Sequence, residues 1–154
     1  AVQKQFRKYV INAEYGQGLA VVTPFLGGDI TGWYLSPLGH SRLRFYWDGE
    51  DTISTERGRD TTVCPSFAKL LPKSPIDAFF QFLEDIPTTD ALFNLLKEEE
   101  IWKQARDSYP FQIVVLDVPS QSHLPFQQRL NYMNTIQSTN DSNSLLKVVG
   151  CKRV

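Results

Sequence analysis

The strongest constraint on the fold is a strand followed by a tight turn at residues 41–49. Residues 41–47 have the alternation of side chains that is typical of a strand, and Asp48-Gly49 follows them directly. Asp-Gly is typical of a two-residue hairpin turn, because both positions accept a positive φ at little cost. The sequence therefore predicts an antiparallel hairpin whose return strand is residues 52–55. Further short strand candidates extend it into a meander, at residues 7–14, 19–24, 30–35 and 61–64.

The pattern changes to helical spacing after Pro72. Ser74 is a suitable cap, Pro75 suits the first helical position, and Asp77 lies where a capping box has its acid. Apolar residues then follow at i, i+3, i+4 and i+7, which predicts a helix that ends at Pro87. These apolar residues are Ile76, Phe79, Phe80 and Leu83.

The remainder of the second half predicts a helix, a strand, a helix and a strand. Thr88 or Thr89 caps the first of these helices, and Glu99 is spaced to pair with Lys103 along it. Its apolar stripe consists of Leu92, Leu95, Leu96 and Trp102. The continuous apolar run at 111–118 is typical of a strand that is covered on both faces. A helix over about 125–137 and a strand over 145–149 complete a β-α-β unit with a parallel strand pair.

These patterns predict an α+β fold, with an antiparallel β-meander followed by two helices and a β-α-β unit on the same core. The chain has 154 residues, which suits one domain over 1–154, β-rich in 1–72 and α/β in 73–154. Hydrophobic residues make up 42% and charged residues 21%, so the chain has the composition of a globular protein.

The overall charge gives no general attraction to nucleic acid or to anionic membrane. The chain has 16 basic and 17 acidic residues, a net charge of -1. No apolar run is long enough to cross a bilayer, so we expect no membrane partner. Cys64 and Cys151 are far apart, and two reduced thiols in a cytoplasmic protein are preferred over one disulfide. We therefore expect a cytoplasmic location.

The sequence contains no motif that is specific for catalysis. It has neither a G-x-S-x-G turn nor a phosphate-binding glycine loop, and its few His and Cys residues are not spaced for a metal. We expect no cofactor and no metal. A hydrolase remains an alternative, using His40 with His123, or acids near Asp117, which lies at the C-terminal end of a predicted buried strand. For Asp117 we prefer a structural role, as a loop cap or in a surface salt bridge.

The best binding candidate is the hairpin over residues 41–59. Alternation places Leu43, Phe45 and Trp47 on a core face, and a basic face with one aromatic ring opposite. The predicted binding residues for nucleic acid or a protein partner are Arg42, Arg44, Tyr46, Arg57 and Arg59. Acids in the same hairpin would neutralise these arginines, and we prefer that interpretation. Those acids are Glu50, Asp51, Glu56 and Asp60.

The main functional hypothesis is a non-enzymatic interaction or regulatory module with a protein partner, such as a small subunit of a larger assembly. It follows from the missing catalytic signatures and from an aromatic content of 12%. The alternative is binding of RNA or single-stranded nucleic acid through the 41–59 hairpin, with the hydrolase as second alternative. The sequence specifies no oligomeric state.

Overall fold

We analysed a computed structural model of the chain, which describes residues 33–36, 42–55, 59–82, 88–105, 111–139 and 145–153. The strands are β1 (Trp33–Ser36), β2 (Arg42–Trp47), β3 (Thr52–Thr55), β4 (Asp60–Thr62), β5 (Ile76–Phe82), β6 (Phe111–Asp117), β7 (Leu146–Val148) and β8 (Gly150–Arg153). The helices are α1 (Pro65–Ala68), α2 (Thr89–Lys97), α3 (Glu99–Ala105) and α4 (Phe126–Thr139), with a 3-10 turn at Pro119–Gln121.

Six strands form the main sheet in the order β4-β3-β2-β5-β6-β7. Neighbouring strands are antiparallel except β6 and β7, which are parallel and are connected through α4. β2, β3 and β4 form the part of the predicted meander that comes from residues 41–64, whereas β1 is not in this sheet. β6, α4 and β7 form the predicted β-α-β unit. The mixed sheet with its helices confirms the α+β class.

A second, two-stranded sheet pairs β1 with β8, from Trp33 opposite Arg153 to Ser36 opposite Gly150. β1 lies at the end of the strand predicted over 30–35, whereas β8 was not predicted. The strand candidates at 7–14 and 19–24 lie outside the described residues.

The helix predicted from Ser74 to Pro87 is wrong, because residues 76–82 form the strand β5. β5 lies between β2 and β6, and every residue in it except Gln81 is buried. A strand buried on both faces is a nearly continuous apolar run. Such a run places apolar residues at i+3 and i+4 as well as at i+2, so its periodicity does not distinguish strand from helix.

The helix predicted after Thr88 is confirmed, but it is divided in two. The Thr88 hydroxyl accepts a hydrogen bond from the Ala91 N–H at 3.1 Å, as expected of an N-cap. Glu98 has φ -103° and ψ 114°, an extended conformation that separates α2 from α3. Within α3, Lys103 pairs with Glu99 at 3.4 Å as predicted. The four residues predicted as the apolar stripe are all buried.

Aromatic side chains fill the core between the main sheet and α1 and α3. The Phe80 ring stacks on Phe45 with centroids 4.4 Å apart and meets Phe111 edge to face at 5.4 Å. Phe67 of α1 meets Trp102 of α3 edge to face at 5.0 Å. These contacts are in the distance range that aromatic pairs prefer. Leu43, Phe45 and Trp47 all pack in this core, as strand alternation predicted.

Polar contacts join α1 to α3 at the edge of this core. The Glu99 carboxylate accepts hydrogen bonds from the Ser66 hydroxyl and from the Ser66 N–H, the latter at 3.0 Å. These bonds favour the charged form and lower the pKa of Glu99 to about 2. Burial raises the pKa of the nearby Cys64 thiol, so Cys64 is a protonated, buried core residue.

Candidate nucleic-acid interface

The turn between β2 and β3 is organised by the Asp48 side chain. Its Oδ1 accepts hydrogen bonds from the backbone N–H groups of Glu50, Asp51 and Thr52, at 2.8 to 3.1 Å. The Asp48 N–H also donates to the Thr52 carbonyl at 3.1 Å. The hairpin is therefore confirmed, with Asp48 and Thr52 closing a loop longer than the predicted two residues.

Gly49 allows this turn to pack tightly against the segment that precedes β5. Its φ is +90°, in the region that side chains rarely adopt, and a Cβ there would lie 2.9 Å from the Lys73 carbonyl oxygen. The Trp47 indole N–H donates to the Pro72 carbonyl at 2.7 Å beside it. The turn therefore approaches the backbone at Lys73 closely, and a hydrogen bond holds the neighbouring backbone at Pro72.

Replacement of Gly49 by alanine is expected to destabilise the fold by about 1–3 kcal/mol, because it combines an unfavourable φ with a clash against backbone. Urea unfolding followed by tryptophan fluorescence measures this change. Glu50→Ala, one residue further along the same turn and exposed, is the control and should stay within about 0.5 kcal/mol. Equal stability of the two variants would contradict the prediction.

Arg44 pairs with Asp77 of β5, which is not one of the hairpin acids predicted to neutralise it. Its Nε donates to Asp77 Oδ1 at 2.9 Å, and its second nitrogen bonds to Asp77 Oδ2. The Arg44 side chain is 9% exposed and that of Asp77 is fully buried. The expectation that an acid neutralises Arg44 is therefore confirmed. The acid, however, comes from β5, a segment that the sequence predicted as a helix.

Asp77 in turn lies opposite Asp117 in the register of β5 and β6. Asp117 accepts a hydrogen bond from Arg129 of α4 at 2.9 Å and one from the Val118 N–H at 2.8 Å. The Arg129 side chain is fully buried and also donates to the Leu124 carbonyl at 2.8 Å. Each of these two adjacent buried aspartates thus has an arginine as an ion-pair partner. The predicted salt bridge of Asp117 exists, but it is buried and not at the surface.

Arg59 is held in a different position, at the start of α2. Its guanidinium pairs with Asp90 and lies over the Phe93 ring, 4.5 Å from the ring centroid. The Arg59 side chain is 42% exposed, so this pair is a surface contact that contributes little to stability. Asp90 was not among the acids predicted to neutralise the arginines.

The remaining predicted binding residues are Tyr46, Arg42 and Arg57, of which the structure describes the first fully, the second by its backbone and the third not at all. Tyr46 is buried, and its pKa is raised by burial and then by the charge of Asp48. The backbone of Arg42 pairs with that of Gln81. Arg57 lies outside the described residues. The structure therefore brings Arg44 and Tyr46 onto one sheet face with Asp77, and places Arg59 apart from them, near α2.

The structure places only some of the residues of the hydrolase alternative. His123 is exposed in the turn before α4, and His40 lies outside the described residues. The pairing of the two histidines stays a prediction. Among the described residues, no three His, Cys, Asp or Glu side chains are grouped as they would be around a metal ion. None of the described helices is long and apolar enough to cross a membrane.

A cleft of about 760 Å³ opens beside the β2–β3 turn. Its floor is mainly apolar and includes Leu71 and Pro72. Glu50 and Asp51 line it, as do Lys69 and Lys73. Sequence patterns did not single out the two lysines, since they follow a four-residue helix that was itself not predicted.

Comparisons with known proteins were informative only for the fold. No family model and no curated protein sequence matches this chain. Among solved structures, it is similar to a chain described under "DNA binding with a minimal scaffold: Structure-function analysis of Lig E DNA ligases". The TM-score is 0.62 at 16% sequence identity, covering 98% of this chain and 52% of that one. This chain therefore spans about half the length of the ligase chain, and the likeness shows a shared fold.

Proposed function

We propose that this chain binds nucleic acid, with DNA as the first ligand to test. The observation that carries the proposal is the fold likeness along 98% of the chain to a structure described for its DNA binding. A shared fold does not by itself imply a shared function, so the proposal depends on a binding test. The likeness favours the nucleic-acid alternative over the protein-interaction module that the sequence put first.

The binding residues of this proposal are those predicted on the hairpin, but the arginines differ in how they can be tested. Arg44 is the buried partner of Asp77, so its removal would leave an uncompensated buried charge and destabilise the fold. Loss of binding in Arg44→Ala would therefore not identify a phosphate contact. Arg59 must first release Asp90 before it can bind a phosphate. We therefore choose Arg42, from the same predicted set, as the first residue to replace.

The test is fluorescence anisotropy with a labelled DNA duplex, and with single strands of DNA and RNA of the same sequence. We expect affinity in the range of about 1–100 μM at physiological salt, falling linearly with salt on logarithmic axes. Arg42→Ala should weaken binding and reduce the magnitude of the salt slope by about 1, because one phosphate contact is lost.

Arg42→Lys is the matched control, because it retains the charge and should retain the salt slope. Unchanged slopes in both variants would remove Arg42 from the interface. Absence of binding to all three nucleic acids at low salt would refute the proposed function itself.

A further inference from the structure

We infer that Lys69 and Lys73, at the cleft beside the β2–β3 turn, bind phosphates of the nucleic-acid backbone. The inference rests on the proposed function and adds a site to it. Both lysines are exposed, and neither forms an ion pair with another residue in the described part of the chain. An exposed ammonium without a carboxylate partner is the chemistry that attracts phosphate.

The arginines with described side chains differ from these lysines in their charge balance. Arg44, Arg59 and Arg129 each bond to an aspartate. A phosphate that approached any of these arginines would have to compete with the aspartate that is already bound. Two of these aspartates, Asp77 and Asp117, are buried. Among the side chains that the structure describes near the hairpin, Lys69 and Lys73 therefore carry positive charge that no ion pair compensates.

The backbone that carries these lysines is held in place before any ligand arrives. Lys69 caps the C-terminal end of α1, where its N–H bonds to the Pro65 carbonyl at 3.0 Å. Lys73 follows Pro72, whose carbonyl accepts the Trp47 indole hydrogen bond, and the β2–β3 turn packs closely against the Lys73 backbone at Gly49. A fixed backbone reduces the entropy lost when a ligand orders the site, which favours binding.

The cleft also contains an opposing feature, because Glu50 and Asp51 line it together with the lysines. These carboxylates repel a phosphate that binds at the lysines. Removal of the lysine charges should therefore weaken binding, and removal of a carboxylate charge should strengthen it. Lysine–phosphate contacts carry no base information, so we expect binding here that is independent of sequence. Trp47, which also lines the cleft, is 1% exposed and does not offer a stacking surface.

The experiment compares two double variants with the same change in net charge. One is Lys69→Gln with Lys73→Gln. The control is Lys97→Gln with Lys147→Gln, which removes two lysines that are also exposed and without an ion pair among the described residues. Binding to the labelled duplex and to the two single strands is measured from about 25 to 200 mM salt.

We expect the first double variant to reduce the magnitude of the salt slope by about 2 and the control to change it by less than about 0.5. Glu50→Gln should bind more tightly than the unmodified chain, since one repulsive charge is removed. Circular dichroism melts verify that every variant is folded. The salt slope is compared between the unmodified chain and the first double variant for each nucleic acid. The nucleic acid with the largest change shows whether the site binds duplex or single strands.

Equal loss in the two double variants would overturn the inference, because net charge alone would then explain the binding. Weaker binding by Glu50→Gln would also contradict it. An unmodified chain that binds no nucleic acid would refute the proposed function, an outcome distinct from binding that is insensitive to Lys69 and Lys73.

Discussion

Replacement of Arg129 by alanine is expected to destabilise the fold by about 3–5 kcal/mol, which is much of the stability of an ordinary domain. The Arg129 side chain is fully buried, and it neutralises Asp117 while also donating to the Leu124 carbonyl. Its removal leaves the Asp117 carboxylate buried beside Asp77 with one charge uncompensated. The destabilisation therefore arises mainly from the Asp117 carboxylate, which stays buried without its arginine partner.

Urea unfolding measured at neutral pH tests this prediction. Gln128→Ala is the control, because Gln128 precedes Arg129 in the same helix and is exposed. We expect it to change the free energy of unfolding by less than about 0.5 kcal/mol. Arg129→Lys keeps the charge but cannot reproduce the planar contact, so an intermediate loss is expected. A loss below about 1 kcal/mol in Arg129→Ala would show that Asp117 is not dependent on this partner.

Replacement of Phe80 by alanine is expected to destabilise the fold by about 3–5 kcal/mol through the cavity that it leaves. Phe80 is fully buried at the centre of the aromatic core and contacts rings from β2, α1 and β6. These elements belong to both halves of the chain. The ring therefore connects the hairpin to the segments that follow it.

Phe80→Leu separates buried volume from ring contacts, because it keeps most of the apolar volume but none of the aromatic geometry. We expect it to be less destabilising than Phe80→Ala. Ile101→Ala is the exposed control, since Ile101 is 45% exposed on α3. Similar losses in Phe80→Ala and Ile101→Ala would contradict the placement of Phe80 in the core.

Local signals in the sequence were sufficient where an element is decided by its own residues. The hairpin at Asp48-Gly49 and the cap at Thr88 follow from the chemistry of a few neighbouring side chains. α4 follows from helical spacing that includes Phe126 and Met133, both buried. The organisation of 1–154 as a single domain stays a prediction.

The strand β5 was missed because its conformation is decided by its neighbours. Only pairing with β2 and β6 makes residues 76–82 extended, and neither pairing is visible in the local pattern. Asp77 offered the one available signal. A charged residue within an apolar run must find a buried partner or lie at an end of the element, and here it finds Arg44.

The candidate interface was only partly predictable for the same reason. The sequence identified arginines by their number near the turn, but whether an arginine is available depends on the acids that the fold brings to it. Asp77 and Asp90 are both distant in sequence from the arginines they bind. Lys69 and Lys73 had no local signal, since their availability depends on the fact that no ion pair is formed with them in the described part of the chain.

We expect the second sheet to form late in folding, because β1 pairs with β8. Its partners, such as Leu35 and Cys151, are separated by almost the whole described chain, and contacts so distant in sequence have a larger entropy of loop closure than local ones. A shortened chain that stops at Val149 would keep all six strands of the main sheet but would leave β1 without its described partner. Its exposed strand edge would then be open to pairing with another molecule.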